Sequence, residues 1–311
     1  MLNLSWIVFS LVVIILLILD LGVFNKKDKV MSLKKSAILS LFYISIGIFF
    51  GVYIYIIMGA HEASNYFAGF ILEKAMALDN IFVISIIFSF FKIPPKYQHR
   101  VLFWGILGVI ILRAILISLG SIILAKFSWM LYIFGIILIY TGYKMLANIN
   151  GHSINVNDLY IYKFLKRKLN IQSELDGNKF IVKKDSTVYF TPLFMALITV
   201  EAMDLIFAID SIPAIFAITQ NSFIIYTSNI FAILGLRALF FCLADIIERF
   251  KYIKYSLSII LIFIGIKIFV AHFFKIPVYV PIMVILSLIF AGIIFSIYKN
   301  SKNKRIKKIR T

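Results

Sequence analysis

"LEKAMALDNIF" (residues 72–82) sets Glu73, Lys74, Asp79 and Asn80 between two apolar runs, "NYFAGFI" (65–71) and "IFVISIIFSFF" (81–91). Charges inside a bilayer are costly and are retained there to pair with one another or to handle ions. Whether these runs cross a membrane therefore decides both the fold and the meaning of the four polar residues. The apolar runs of this sequence continue for about 20 residues, the length of a helix that spans a hydrocarbon core. They lack the period-two alternation of a barrel strand.

The whole chain reads the same way. It has 311 residues, 62% of them hydrophobic, and a mean hydropathy of +1.00. A water-soluble protein of this size has too little polar surface to cover such a core. The expected fold class is all-α: one polytopic membrane helix bundle over residues 1–300, with no soluble catalytic module. Nine helices fit, at about 4–24, 36–58, 66–91, 101–125, 128–147, 192–219, 227–247, 252–273 and 279–298. The start "MLNLS" has no Lys or Arg and no small-residue cleavage site follows, so the first segment reads as a retained helix. The single cysteine, Cys242, excludes a disulfide framework and a Cys-based metal site.

The net charge of +18 is largely topological. Of the 32 Lys and Arg, 26 fall in alternate loops and the tail, two (Lys126 and Lys275) in the opposite loops, and four inside helices. The positive-inside rule puts the N-terminus outside and the C-terminus in the cytoplasm, in a cell (inner) membrane. It makes 148–190 a cytosolic loop and 299–311 a basic cytosolic tail. The basic loops suit anionic lipid rather than nucleic acid. "LYIYKFLKRKLN" (159–170) reads as a cytosolic linker or as a short basic amphipathic helix at the membrane surface.

An internal repeat organises the bundle. "ALDNIFVI" (77–84) aligns with "AMDLIFAI" (202–209), "LRAILISLG" (112–120) with "LRALFFCLA" (236–244), and "GIILIYTGYKM" (135–145) with "SIILIFIGIKI" (258–268). Asp79 falls on Asp204, Arg113 on Arg237 and Gly142 on Gly265, in order and at nearly one offset. Three helices per copy, 66–147 and 192–273, make this a 3+3 inverted-topology repeat with its site at the midplane; helices 1, 2 and 9 are peripheral.

Depth places the acids. Asp79 is about 20 Å into its helix, and Glu201, Asp204 and Asp210 about 14, 18 and 27 Å into theirs. Thr191 suits the N-cap of that helix and Pro192 its first turn. Glu73 and Asn80 share a helix face, as do Glu201 with Asp204 and Asp204 with Ser211. Pro213 is expected to kink or break the helix and free the Ile209 carbonyl beside Asp210. Oxygen donors without deep His or Cys suit Mn²⁺, Mg²⁺ or Ca²⁺ over Zn²⁺ or Cu⁺. Five acids face Lys74, Arg113 and Arg237, which read as charge-compensating or gating residues. The alternative is that the acids are structural partners of the arginines.

"EKAMALDN" (73–80), "TPLFMALITVEAMDLIFAIDSIPAIFAIT" (191–219), "SNIFAILGLRAL" (228–239) and "IGIKIF" (264–269) resemble the TerC family, Alx-type branch, within the wider LysE-like transporter superfamily. The resemblance runs over about residues 1–300. It implies secondary transport that exports Mn²⁺ from the cytoplasm, with acidic residues of both motifs required. Carried onto this chain these are Asp79, Glu201, Asp204 and Asp210, with Glu73 and Asn80 in the first motif. No enzymatic activity and no resident cofactor are expected. One rival reading is a membrane partner that supplies metal to exported proteins. Another is an intramembrane aspartyl protease, which lacks support because no Gly-x-Gly-Asp occurs. An amino-acid exporter is a third, disfavoured by the stacked carboxylates.

Overall fold

The computed structural model describes residues 2–22, 32–127, 129–147, 160–172, 174–184, 187–243, 253–270, 274 and 279–309. Eleven helices and one hairpin occupy them: α1 (Leu2–Gly22), α2 (Leu33–Met58), α3 (Ala60–Phe90), α4 (Pro95–Lys126), α5 (Met130–Ala147), α6 (Tyr160–Lys168), β1 (Ile181–Lys184), β2 (Thr187–Phe190), α7 (Pro192–Ile218), α8 (Ser222–Ile233), α9 (Leu236–Leu243), α10 (Ile253–Val270) and α11 (Tyr279–Ile309). Each apolar segment expected from hydropathy is helical, so this is a polytopic helical membrane protein. Five spans are long and apolar enough to cross a bilayer by length and composition: α2, α4, α5, α7 and α8–α9 taken together. Shorter apolar helices lie in α1, α10 and α11.

α4 shows why these sequences are helical and which way they face. Leu102, Ile106, Val109, Arg113, Ile117, Gly120 and Leu124 are buried at steps of three and four. Ile111, Ile115, Leu119 and Ile122 stand exposed on the opposite face. Both faces are apolar, as a helix between lipid and a protein interior must be. The inward face is told apart by its glycines and its one arginine rather than by hydrophobicity.

α3 packs on α8 and α7 on α4, while α3 and α7 also meet each other. α2 covers α3, α8 and α9, and α11 lies along α10 and α3. An aromatic cluster ties α1 and α2 to the bundle: Phe9 and Phe50 stack around Phe231, with Phe50 and Phe231 ring centres 4.5 Å apart.

α5 and α10 make the closest helix seam. A Cβ on Gly265 would lie 2.8 Å from the Gly135 carbonyl oxygen, and one on Gly142 would lie 2.7 Å from that of Ser258. Only residues without a side chain let backbones approach so closely. In the sequence alignment Gly142 pairs with Gly265 and Gly135 with Ser258. The contacts thus join each residue to its partner's counterpart, as a two-fold axis through the seam would.

Three local features differ from the sequence expectation. α7 runs as helix through Pro213 to Ile218, so the proline does not end it; α-helix tolerates a lost hydrogen bond where neighbours enclose it. The interruption falls instead in the seventh segment, between α8 and α9. There Gly235 takes φ +84°, which an L side chain rarely adopts, and Tyr43 of α2 lies against it where a Cβ would be. The 148–190 insertion holds a two-stranded antiparallel hairpin as well as the short basic helix α6. α11 also continues through the first part of the basic tail, to Ile309.

The hairpin leads straight into α7. β2 ends at Phe190, Thr191 caps the helix by accepting from the Phe194 N–H at 3.4 Å, and Pro192 opens it. The Thr191 hydroxyl donates to the Lys179 carbonyl at 2.8 Å. One residue therefore ties three pieces of chain together.

Candidate functional site

Arg113, buried in the middle of α4, gathers the site around its guanidinium. Nη1 donates to Glu73 Oε1 of α3 at 2.5 Å, to Asn229 Oδ1 of α8 at 3.1 Å and to Ser211 Oγ of α7 at 3.2 Å. Nε and Nη2 take the two Asp204 oxygens of α7 at 3.3 and 3.2 Å. Asn229 returns a bond from Nδ2 to Glu73 Oε2 at 3.2 Å. Asn80 Nδ2 donates to Asp204 Oδ1 at 3.4 Å. Four helices thus meet at one polar point. The planar fork of arginine suits this, since its five donors sit in a fixed geometry wide enough to serve a carboxylate on each side, whereas an ammonium is a compact point charge.

Glu201 stands three residues before Asp204, one turn away. It rests on the bare backbone of α4, where a Cβ at Gly108 would come within 2.5 Å of Glu201 Oε1. Both carboxylate oxygens are shielded and, among the described residues, meet no hydrogen-bond partner. A shielded carboxylate without a donor is costly in its charged form.

A small cavity of about 20 Å³ adjoins Asp204. Asn80 and Asp204 are the polar groups in its wall, with Val83, Leu102, Ile106 and Met203 among the apolar ones. It has room for one water-sized particle.

The other charged residues are placed elsewhere. Lys74 turns from the cluster and donates from Nζ to the Ala232 and Leu234 carbonyls at 2.6 and 3.3 Å. Those carbonyls border the α8–α9 interruption, so the ammonium satisfies acceptors that the missing turn leaves open. Among the described residues, Arg237 meets none of the motif acids. It pairs with Asp20 of α1. Arg113 and Arg237 align in the sequence, yet their acidic partners come from different elements: α3 and α7 for the first, α1 for the second. Asp79 and Asp210 lie on α3 and α7, but their side chains fall outside the described residues. Among the described residues, no three His, Cys, Asp or Glu side chains converge into a preformed metal cage.

Asn229 was missed by sequence reasoning. Its signal was a lone carboxamide in an apolar helix, in "SNIFAILGLRAL", the kind of residue that sits inside a bundle only when it has partners.

The sequence profile described as "Integral membrane protein TerC family" matches residues 58–305, which include every residue of this cluster. This chain belongs to the TerC family. An uncharacterized membrane protein of Rickettsia felis is 59% identical to this TerC-family chain over 297 residues, covering 96% of the chain and 98% of the relative. Relatives named "Putative membrane-bound redox modulator Alx" are 40% identical over 306 residues in Photorhabdus laumondii and 39% over 311 residues in Escherichia coli K12. The first covers 96% of this chain and 95% of the relative, the second 97% of each. No solved structure matches the chain.

Proposed function

We propose that this TerC-family protein is a secondary transporter that exports divalent manganese from the cytoplasm, through a carboxylate site between the two halves of an inverted repeat. The observation that carries the reading is the Glu73–Arg113–Asp204 cluster with Glu201 beside it. Carboxylates from α3 and α7, the helices bearing the two motifs, meet at one buried point. Within that cluster Glu73 and Asp204 share one guanidinium and Glu201 stands one turn from Asp204, so acidic groups outnumber the bases there. The donors are carboxylate, carboxamide and hydroxyl oxygens, which suit Mn²⁺ or Mg²⁺. The α5–α10 seam supports the repeat, since its contacts exchange aligned residues. The charge bias of the loops supports an inner-membrane protein with the N-terminus outside and the C-terminus in the cytoplasm.

On this reading the protein is not an enzyme and needs no resident cofactor. An aspartyl protease needs two facing aspartates free to activate water, whereas Asp204 is engaged by Arg113. A thiol–disulfide role, the sense in which a redox modulator would be most direct, has only Cys242 to draw on. Delivery of metal to exported proteins would use the same site and follows from export.

Total metal content of cells with and without the gene tests the proposal. Cells lacking the protein are expected to accumulate Mn²⁺ and to stop growing at lower external Mn²⁺. Unchanged Mn²⁺ together with altered efflux of amino acids would refute it.

A further inference from the structure

We infer that Arg113 is a tethered stand-in for the transported cation, holding the carboxylates of the empty site and leaving them when the ion arrives. This rests on the export reading above. Three observations carry it. The guanidinium contacts carboxylates on both α3 and α7, bridging Glu73 Oε1 and both oxygens of Asp204. An ion shared by those two acids would need the same oxygens, so ion and guanidinium compete. Arg113 also has neutral acceptors already in reach, Ser211 Oγ and Asn229 Oδ1, and these can keep the guanidinium when the carboxylates turn to the ion.

The physical reason for such a group is the return step. A carrier must change conformation both loaded and empty. Empty, Glu73 and Asp204 would face each other in a low-dielectric interior with nothing between them, and that conformational change would stall. Arg113 supplies the missing charge from within, so the empty form can move without a second ion in this site. Loaded, the arriving ion takes over the same task. Binding at this site is therefore an exchange of one cation for another, and Arg113 lowers ion affinity enough to allow release.

The test uses the full-length chain reconstituted in liposomes loaded with radioactive Mn²⁺. Net efflux into Mn²⁺-free buffer needs the empty carrier to return; exchange against external Mn²⁺ does not. The native protein is expected to show both. Arg113→Gln is expected to keep exchange while net efflux slows about a hundredfold, the effect of leaving a buried charge without its partner. Arg113→Lys keeps the charge but cannot span both acids, so net efflux should again fall more than exchange. If Arg113→Gln does not assemble, the lysine variant decides. Equal loss of both activities, or no change in either, would overturn the inference while leaving the export reading standing. A native protein inactive in both assays would overturn the export reading and this inference with it.

Discussion

Asp204 shares Arg113 with Glu73, Ser211 and Asn229, whereas among the described residues Arg237 has Asp20 as its acidic partner. The two buried pairs should therefore fail differently. Asp204→Asn keeps the shape and leaves Arg113 three other acceptors, so the variant should reach the membrane at near-native level. Its efflux should fall by about tenfold or more, since an ion loses an anionic ligand. Asp20→Ala strands the Arg237 guanidinium in the bundle, at a cost of about 3–5 kcal/mol. That variant should accumulate poorly, and the molecules that do assemble should transport normally. Membrane level by immunoblot, read beside efflux per molecule, separates the two. Equal loss of level in both variants would mean that the Glu73–Arg113–Asp204 cluster is as structural as the Asp20 pair.

At the scale of the element, the α8–α9 interruption is the feature with the sharpest steric signature. Gly235→Ala places a Cβ 2.6 Å from Tyr43 Cβ at a positive φ. The backbone term alone costs about 1–2 kcal/mol, and the contact adds to it. Thermal unfolding in detergent should show a clear loss of melting temperature, and Tyr43→Ala should recover part of it by opening the space. Absence of any recovery would show that the backbone angle dominates. Little of this was legible beforehand. Pro213 was the obvious helix breaker, yet α7 encloses it and continues. Gly235 was unremarkable inside an apolar run, since glycine is common in membrane helices. Its role depends on φ and on a neighbour from α2, neither of which a local pattern encodes.

For the whole molecule, hydropathy and length were enough to find the helices, because a bilayer leaves each span no other way to satisfy its backbone. The aligned motifs pointed to Asp79 and Asp204; Asp204 shares its guanidinium with Glu73, which precedes the aligned stretch, and the Asp79 side chain falls outside the described residues. The partition of the arginines was not legible, since α1 and α2 lie outside the repeat and break its symmetry. Loop charge makes the remaining whole-molecule prediction. Reporters active only outside the cytoplasm should work when fused after Gly59 or Asn221 and fail when fused within 150–185. The reverse pattern would sink the inverted arrangement of the two halves. Gly142→Leu should disrupt the α5–α10 seam and lower assembly of the bundle as a whole, measured as the monodisperse fraction after extraction. An unchanged fraction would show that the seam can open without loss of the fold.

Thr191 leaves no slack between the hairpin and α7. The hairpin and α7 are consequently joined with no linker between them, at a single hydroxyl. Glu201 lies ten residues along α7 from that hydroxyl, about 15 Å. The polar hairpin and the shielded Glu201 are thereby held on one continuous stretch of chain.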